Sequence, residues 1–187
     1  MMGADGSEAP LGLRCRDLAT APQTVRRAAR AFCLATIAEV YGTAYRPDWH
    51  ADLDRLAGEA GPGWFAPEER GAFWALHDAA GEIVGTAGLY RLDLKPTLAA
   101  GFTGRYGTVE AVAQLVRVYL RANHRRSGVG RWLVDQAERR ARALGFATLY
   151  LHADSGTPAT IAFWRSRGYR DFAAGEGSTH FDKPLAR

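Results

Sequence analysis

The stretch Ala113–Leu133, AQLVRVYLRANHRRSGVGRWL, constrains this chain more than any other. Its first part, Ala113–Leu120, is apolar and rich in β-branched and aromatic residues, the composition of a strand. Its last part opens a helix. Ser127 is a good N-cap, and Val129, Leu133, Ala137, Ala141 and Leu144 follow at near-helical spacing. Between them lies His-Arg-Arg-Ser-Gly-Val-Gly, a basic turn with two glycines. A strand that delivers such a turn onto a helix N-terminus makes an anion site, because free N–H groups point outward and the helix dipole favours negative charge. Gly128 and Gly130 let a phosphate approach the backbone, and Arg125, Arg126 and Arg131 add countercharge. The expected ligand is a phosphorylated small molecule.

Two common phosphate binders fit poorly. A P-loop needs a longer Gly-to-Gly spacing and a Lys followed by Ser or Thr, whereas Lys95 and Lys183 are the chain's only lysines. The dinucleotide fingerprint is closer, with Gly128-Val129-Gly130 between strand and helix and Asp154 after the next strand. Its third glycine, however, falls at Leu133, where close helix–strand packing calls for a small residue.

The remaining pattern is Arg-x-x-Gly-x-Gly at Arg125–Gly130, behind a Leu-x-Arg-x-Tyr-x run at Leu115–Leu120. It resembles the pyrophosphate signature and fourth strand of the GCN5-related N-acetyltransferases, which bind acetyl-CoA. The downstream chain is similar as well. Where that family often has Asn-x-x-Ala-x-x-x-Tyr-x-x-x-Gly-Phe, this chain places Thr157, Trp164 and Gly168-Tyr169. The resemblance covers roughly Ala72 to the C-terminus. Residues 41–66 carry no family pattern and fall where the family builds its acceptor pocket.

The resemblance implies an α/β fold: a mixed, largely antiparallel central sheet flanked by helices, with a splay between the fourth and fifth strands. It implies direct acetyl transfer from acetyl-CoA to a primary amine in a ternary complex, with no metal. The pyrophosphate would rest on Arg125, Arg126, Ser127, Gly128, Val129, Gly130 and Arg131, the pantetheine on strand backbone at Val118 and Leu120, with Thr157 adjoining. The oxyanion would face a backbone N–H near Leu120. Holding amine and thioester together would supply much of the rate.

Two family positions depart from the pattern. The usual base, a Glu on the fourth strand, reads Gln114, which takes no proton; the usual Tyr acid reads Trp164. The candidate bases are Glu110, on the same face by period-2 counting, and His50 or Asp52; the candidate acids are Tyr119, Tyr41 and Tyr45. Against each stands a plainer role: a surface carboxylate for Glu110, a satisfied helix-start histidine for His50, packing for Tyr119, Phe163 and Trp164. A catalytically idle acyl-CoA-binding sensor or scaffold is therefore the alternative function. The acidic residues Asp48, Asp52, Asp54 and Glu59 favour a small cationic amine as acceptor.

The rest of the chain is read around that unit. At 187 residues it is long enough for one domain with its own core, assigned to 1–187 with a tail at 1–10. No apolar run approaches the ~20 residues of a membrane span, and MMGADGSEAP lacks the apolar stretch of a signal peptide. Cys15 and Cys33 sit in strand and helix patterns, so two reduced thiols and a cytoplasmic setting are expected. No Cys/His spacing suggests a metal. The net charge of +4 comes from scattered arginines rather than one basic block, which argues against nucleic acid and for an anionic cofactor. A homodimer is a further expectation from the family.

In order, the expected elements are a strand at Leu11–Leu18, a helix from Pro22 through Val40 with Ala29, Phe32, Cys33, Ile37 and Val40 on one stripe, and a short helix entered at Pro47-Asp48. Trp64-Phe65 should plug the core. A hairpin pairs Ala72–His77 with Ile83–Tyr90, Leu94–Gly107 is a loop, and Val109–Leu120 is the central strand, long enough for a bulge. After the glycine-turn helix come a strand at Thr148–His152, a helix begun by Thr157-Pro158 and closed by Gly168, and two last strands.

Overall fold

The computed structural model describes residues 9–102, 104–175 and 177–186. The chain runs β1 (Arg14–Asp17), α1 (Gln23–Tyr41), α2 (Pro47–Ala57), β2 (Ala72–His77), β3 (Ile83–Arg91), α3 (Pro96–Ala100), β4 (Val112–Leu120), α4 (Val129–Ala143), β5 (Thr148–Asp154), α5 (Pro158–Ser166), β6 (Arg170–Gly175) and β7 (Ser178–Pro184). The strands form one sheet in the order β1-β2-β3-β4-β5-β7-β6. Every neighbouring pair is antiparallel except β4 and β5, which run parallel because α4 carries the chain back between them.

Side chains alternate across each strand, so each face of the sheet collects its own core. On one face α4 lays down Val129, Leu133, Val134, Ala137 and Ala141, all buried, against Leu89, Ala113, Leu115, Leu149 and Leu151. Each such Val or Leu contributes about 1.5–3 kcal/mol by leaving water. On the other face α1 buries Ala29, Cys33 and Ile37, three residues at helical spacing, over Phe73, Ala75 and Tyr90. Trp164 packs edge-on against Phe163 and Tyr169 in the first of these cores, at 5.0 and 5.3 Å between ring centroids. Its role is packing.

The backbone corrects several sequence boundaries. Leu11 and Gly12 adopt positive φ, so the first strand begins only at Arg14. Val109–Ala111 is a 3-10 turn rather than the start of β4. Pro96 opens α3 inside the supposed loop at Leu94–Gly107, with Pro at the first turn where its missing N–H costs nothing. Gly128, not Ser127, is the residue before α4, and the Ser127 hydroxyl turns back to the His124 carbonyl at 2.6 Å. Val40 stays exposed at the end of α1. Residues 1–8 of the expected tail lie outside the described residues, whereas Ala9 is already buried in the α4-side core.

Trp64-Phe65 does plug the core, through a close backbone crossing. Phe65 packs edge-on against Phe73 and Tyr90, and Trp64 lies against Tyr90. Behind them Gly71 approaches so closely that a Cβ there would lie 2.2 Å from the Trp64 carbonyl oxygen and 2.5 Å from the Phe65 Cα. Backbone cannot yield as a flexible side chain does. Gly71→Ala is expected to cost about 1–3 kcal/mol, the usual penalty of overpacking, and to lower Tm by roughly 2–4 °C per kcal/mol. An unchanged Tm would show that this crossing is loose.

Candidate active site

The glycine turn is built for an anion. Arg126 and Gly128 both take positive φ, at 59° and 87°, which turns successive N–H groups to one side. Among the described residues, the N–H groups of Arg126, Ser127, Gly128, Val129, Gly130 and Arg131 have no acceptor. A Cβ on Gly128 would meet nothing within 4 Å, so the space before it is open. Gly130 sits differently: its Cβ would come 3.4 Å from Leu120 and 3.7 Å from Phe163. A side chain there would wedge α4 away from the end of β4. Arg125, Arg126 and Arg131 are exposed around the turn, while Val129 is buried and anchors the helix start. Free N–H groups, open approach and arginines together suit a diphosphate.

The strands leading to this turn part company. Parallel pairing of β4 and β5 covers only Val112↔Thr148, Ala113↔Leu149 and Gln114↔Tyr150. Both strands continue to Leu120 and Asp154, each paired on its outer side to β3 or β7. The inner edges beyond Gln114 and Tyr150 therefore face a gap with unpaired main-chain groups. A long, thin molecule bearing amides can pair there as a strand would.

A bulge tunes that edge. Thr86 pairs with Tyr119 and Gly88 with Val116, so Ala87 alone opposes Arg117 and Val118. Arg117 stands at φ 54°, rare for a residue with a side chain. Its guanidinium grips Asp52 of α2 with two hydrogen bonds, of 2.9 and 2.7 Å, and donates a third to the Trp49 carbonyl at 3.0 Å. The Asp52 side chain is 1% exposed and that of Arg117 14%. Burial alone would raise the Asp52 pKa, but the facing guanidinium holds the carboxyl below its ordinary value. The Thr86 hydroxyl donates to the Arg117 carbonyl at 2.8 Å and completes the support. The clamp fixes α2 to the bulged strand.

On the same face as that clamp, a polar row crosses the sheet. Tyr90 of β3 pairs with Gln114 of β4, which pairs with Tyr150 of β5, and His152 lies opposite His180 of β7. The Tyr150 hydroxyl contacts His180 Nδ1 at 2.7 Å and His152 Nδ1 at 3.4 Å. A hydroxyl has one proton, and the shorter contact assigns it to His180. The Gln114 amide nitrogen, a donor, also faces His152 Nδ1 at 3.5 Å, and His152 Nε2 has no partner among the described residues. Crowding by protein atoms, with Lys95, His180 and Arg117 adding positive charge, pushes the His152 pKa down to about 4, even though one side of the ring stays open to solvent. Its imidazole is neutral at neutral pH.

The residues singled out from the sequence distribute unevenly over this site. Val118 and Leu120 lie on the gapped half of β4, and Arg125–Arg131 form the turn. Thr157 precedes α5, where its hydroxyl donates to Asp154 at 2.9 Å. Glu110 is in the 3-10 turn before β4, fully exposed and accepting from Thr108, so period-2 counting does not bring it to the Gln114 face. His50 is buried at the start of α2, with Nδ1 accepting the Arg46 N–H at 2.9 Å and Tyr45 stacked on the ring. That is a satisfied structural histidine. Tyr119 is half-buried beneath α1; burial raises its hydroxyl to about 12. Asp52 is committed to Arg117. His152, His180, Tyr150 and Lys95 are additions that sequence reasoning missed. The signal for two of them was present, since Tyr150 and His152 are two apart in a predicted strand.

Among the described residues no group of three or more His, Cys, Asp or Glu side chains could hold a metal ion, and no helix is long and apolar enough to cross a membrane. The family description that matches the chain is "Acetyltransferase (GNAT) family", over residues 34–169. No curated protein matches. Many solved structures do. A GNAT-family acetyltransferase from Staphylococcus aureus Mu50 is 16% identical, covering 93% of this chain and 99% of its own, with a TM-score of 0.70. A GCN5-related N-acetyltransferase from Kribbella flavida is 22% identical, covering 95% and 100%, at 0.64. A ribosomal-protein-alanine N-acetyltransferase from Brucella melitensis is 18% identical, covering 91% and 99%, at 0.62. At such identities the likeness is one of fold.

Proposed function

Because the chain belongs to the GNAT acetyltransferase family, we propose that it transfers an acetyl group from acetyl-CoA to a primary amine by direct attack in a ternary complex. The observation that carries this reading is the join of two open backbone surfaces: the six free N–H groups at Arg126–Arg131 and the β4–β5 gap that leads to them. The turn takes the pyrophosphate, and the gap takes the pantetheine arm along Val118 and Leu120. The acyl carbonyl then lies beside the bulge, where an unpaired N–H of β4 stabilises the developing oxyanion. Thr157 contributes by holding Asp154 and the start of α5 beside the gap.

The acceptor approaches from the face that carries the polar row. Its nitrogen lone pair attacks the thioester carbon, the C–N bond forms and the C–S bond breaks. Nitrogen becomes far more acidic once bonded to the acyl carbon, so a neutral imidazole suffices to take its proton. We assign that step to the His152 imidazole, with Tyr150 and His180 orienting the ring. Coenzyme A thiolate is a tolerable leaving group, which accommodates Trp164 at the family's Tyr position. Tyr119, whose raised pKa keeps it protonated, adjoins the bulge and is assigned to protonate the sulfur.

The four acidic residues behind the expectation of a cationic acceptor are each paired within the protein. Asp52 is paired with Arg117, Asp54 with Arg30 and Tyr45, Glu59 with Arg27 and Arg30, and Asp48 with Arg46.

A thermal-shift titration tests the cofactor half of the reading. Acetyl-CoA and coenzyme A should each stabilise the protein saturably, by about 2.7 kcal/mol at a hundred times Kd, while NAD and ATP should not. Stabilisation by NAD alone would return the turn to a dinucleotide role. Binding of acetyl-CoA without turnover of any amine would favour the idle sensor or scaffold.

A further inference from the structure

The same polar row contains a cation with nothing opposite it. Lys95, at the start of α3, lies with its ammonium 5.9 Å from the Trp64 ring centre and 5.8 Å from that of Tyr90. Among the described residues the ammonium makes no ion pair and no hydrogen bond. Aromatic faces tolerate an ammonium, but they do not neutralise it. The nearest carboxylate, Asp52, is already held by both arms of Arg117. Asp52, Arg117 and Lys95 together therefore carry one uncompensated positive charge, and His152 and His180 beside them add none while neutral.

Two buried polar groups of the row are also unfilled. The Gln114 amide nitrogen reaches His152 Nδ1 at 3.5 Å, and its carbonyl oxygen is buried without a partner. The Tyr90 hydroxyl, equally buried, has none either. Tyr90 and Gln114 are partners in the β3–β4 register, so both vacancies fall on the same face beneath Lys95. A buried polar group left unpaired costs about 1–3 kcal/mol. Both groups are closed to solvent, so the Lys95 ammonium is the group of this corner that a ligand meets.

We propose that the acceptor amine bears an oxyanion, in the simplest case a carboxylate, and that Lys95 holds it within reach of His152. This rests on the acetyltransferase reading above and names the class of its acceptor. Lys95 meets the oxyanion with its ammonium, and the Gln114 carbonyl oxygen and the Tyr90 hydroxyl lie sealed beneath it. The positive surroundings also favour the neutral amine over the ammonium form, which is the form that attacks. A polyamine would bring further positive charge to a site that is already positive.

The test is thiol release from acetyl-CoA with matched triplets of amines: phenylalanine, phenylalaninamide and phenethylamine, and the corresponding sets for leucine, methionine and alanine. Carboxylate members should be preferred in kcat/KM by about 10- to 100-fold, the worth of one charged hydrogen-bonded contact. Lys95→Met should erase that preference and Lys95→Arg should keep part of it. Equal or reversed preference in the wild type, persistence of the preference in Lys95→Met, or no turnover of any carboxylate-bearing amine would each overturn the proposal. Loss of acetyl-CoA stabilisation in the wild-type protein would instead strike the underlying reading, so the two failures are distinguishable.

Discussion

The His152→Ala protein is expected to bind acetyl-CoA as the wild type does and to turn amines over about 10²–10⁴-fold more slowly, the usual worth of a positioned base. The pH profile separates this from a packing defect. An ordinary histidine would impose an acid limb near pH 6.5. Here burial holds the ring near 4, so the imidazole is already unprotonated at pH 5, and the His152 limb should lie near 4. The rise in rate between pH 5 and 8 should follow the acceptor amine instead. His152→Gln, which keeps bulk and a polar end but takes no proton, should behave like the alanine variant. A variant that keeps more than a tenth of wild-type turnover would remove His152 from the mechanism.

The second large effect is on stability. Asp52→Ala leaves the Arg117 guanidinium enclosed with the Trp49 carbonyl and the Tyr119 hydroxyl but no opposite charge, and removing one partner of a buried pair costs about 3–5 kcal/mol. Because Arg117 is 14% exposed, some water reaches it, and a loss of about 3 kcal/mol in chemical denaturation is expected. Asp52→Leu with Arg117→Leu should recover much of that loss by removing both charges, but it leaves α2 unclamped from the bulge, so turnover should remain low. The sign with pH follows from the lowered carboxyl pKa. The Asp52 contribution is full above the unfolded value of about 3.9 and is lost as pH falls through the lower folded value. Wild-type protein should therefore lose more stability on acidification than Asp52→Ala does. A loss below 1 kcal/mol at neutral pH would mean that the pair is not holding α2.

The strand–turn–helix unit was legible because three local signals agree there: strand composition, a glycine turn and a helical stripe from Val129 to Ala141. The hairpin, α1 and the closing Gly168, which takes φ 82°, were legible for the same reason. The short elements were not. Pro96–Ala100 is five residues long, too short to display a period. Arg117 looked like any strand residue, because a bulge is set by pairing across the sheet and not by the strand's own sequence.

The candidate site divides the same way. Its phosphate end is contiguous in sequence and was visible as a motif. Its chemical end draws on α2, α3, β3, β4, β5 and β7, residues from Trp49 to His180, and only the sheet order brings them together. Counting carboxylates suggested a negative pocket at residues 48–59. The arginines that neutralise it come from positions 27, 30, 46 and 117, all four outside that segment. Net local charge is a property of contacts, and contacts between distant segments are what a linear reading lacks.

The short β4–β5 seam has a mechanical side. Three residue pairs join a four-stranded plate, β1 to β4, to a three-stranded one, β5 to β7. Mechanically this is two stiff leaves with a narrow hinge at one end, braced across the back by α4 packing. A slender guest lying in the open end would act as a splint, bonding to both leaves where they fail to bond to each other. Occupancy of the gap would then be transmitted as stiffness to the face that receives the amine, so the donor substrate would prepare the bed of the acceptor without any part of the chain changing its fold.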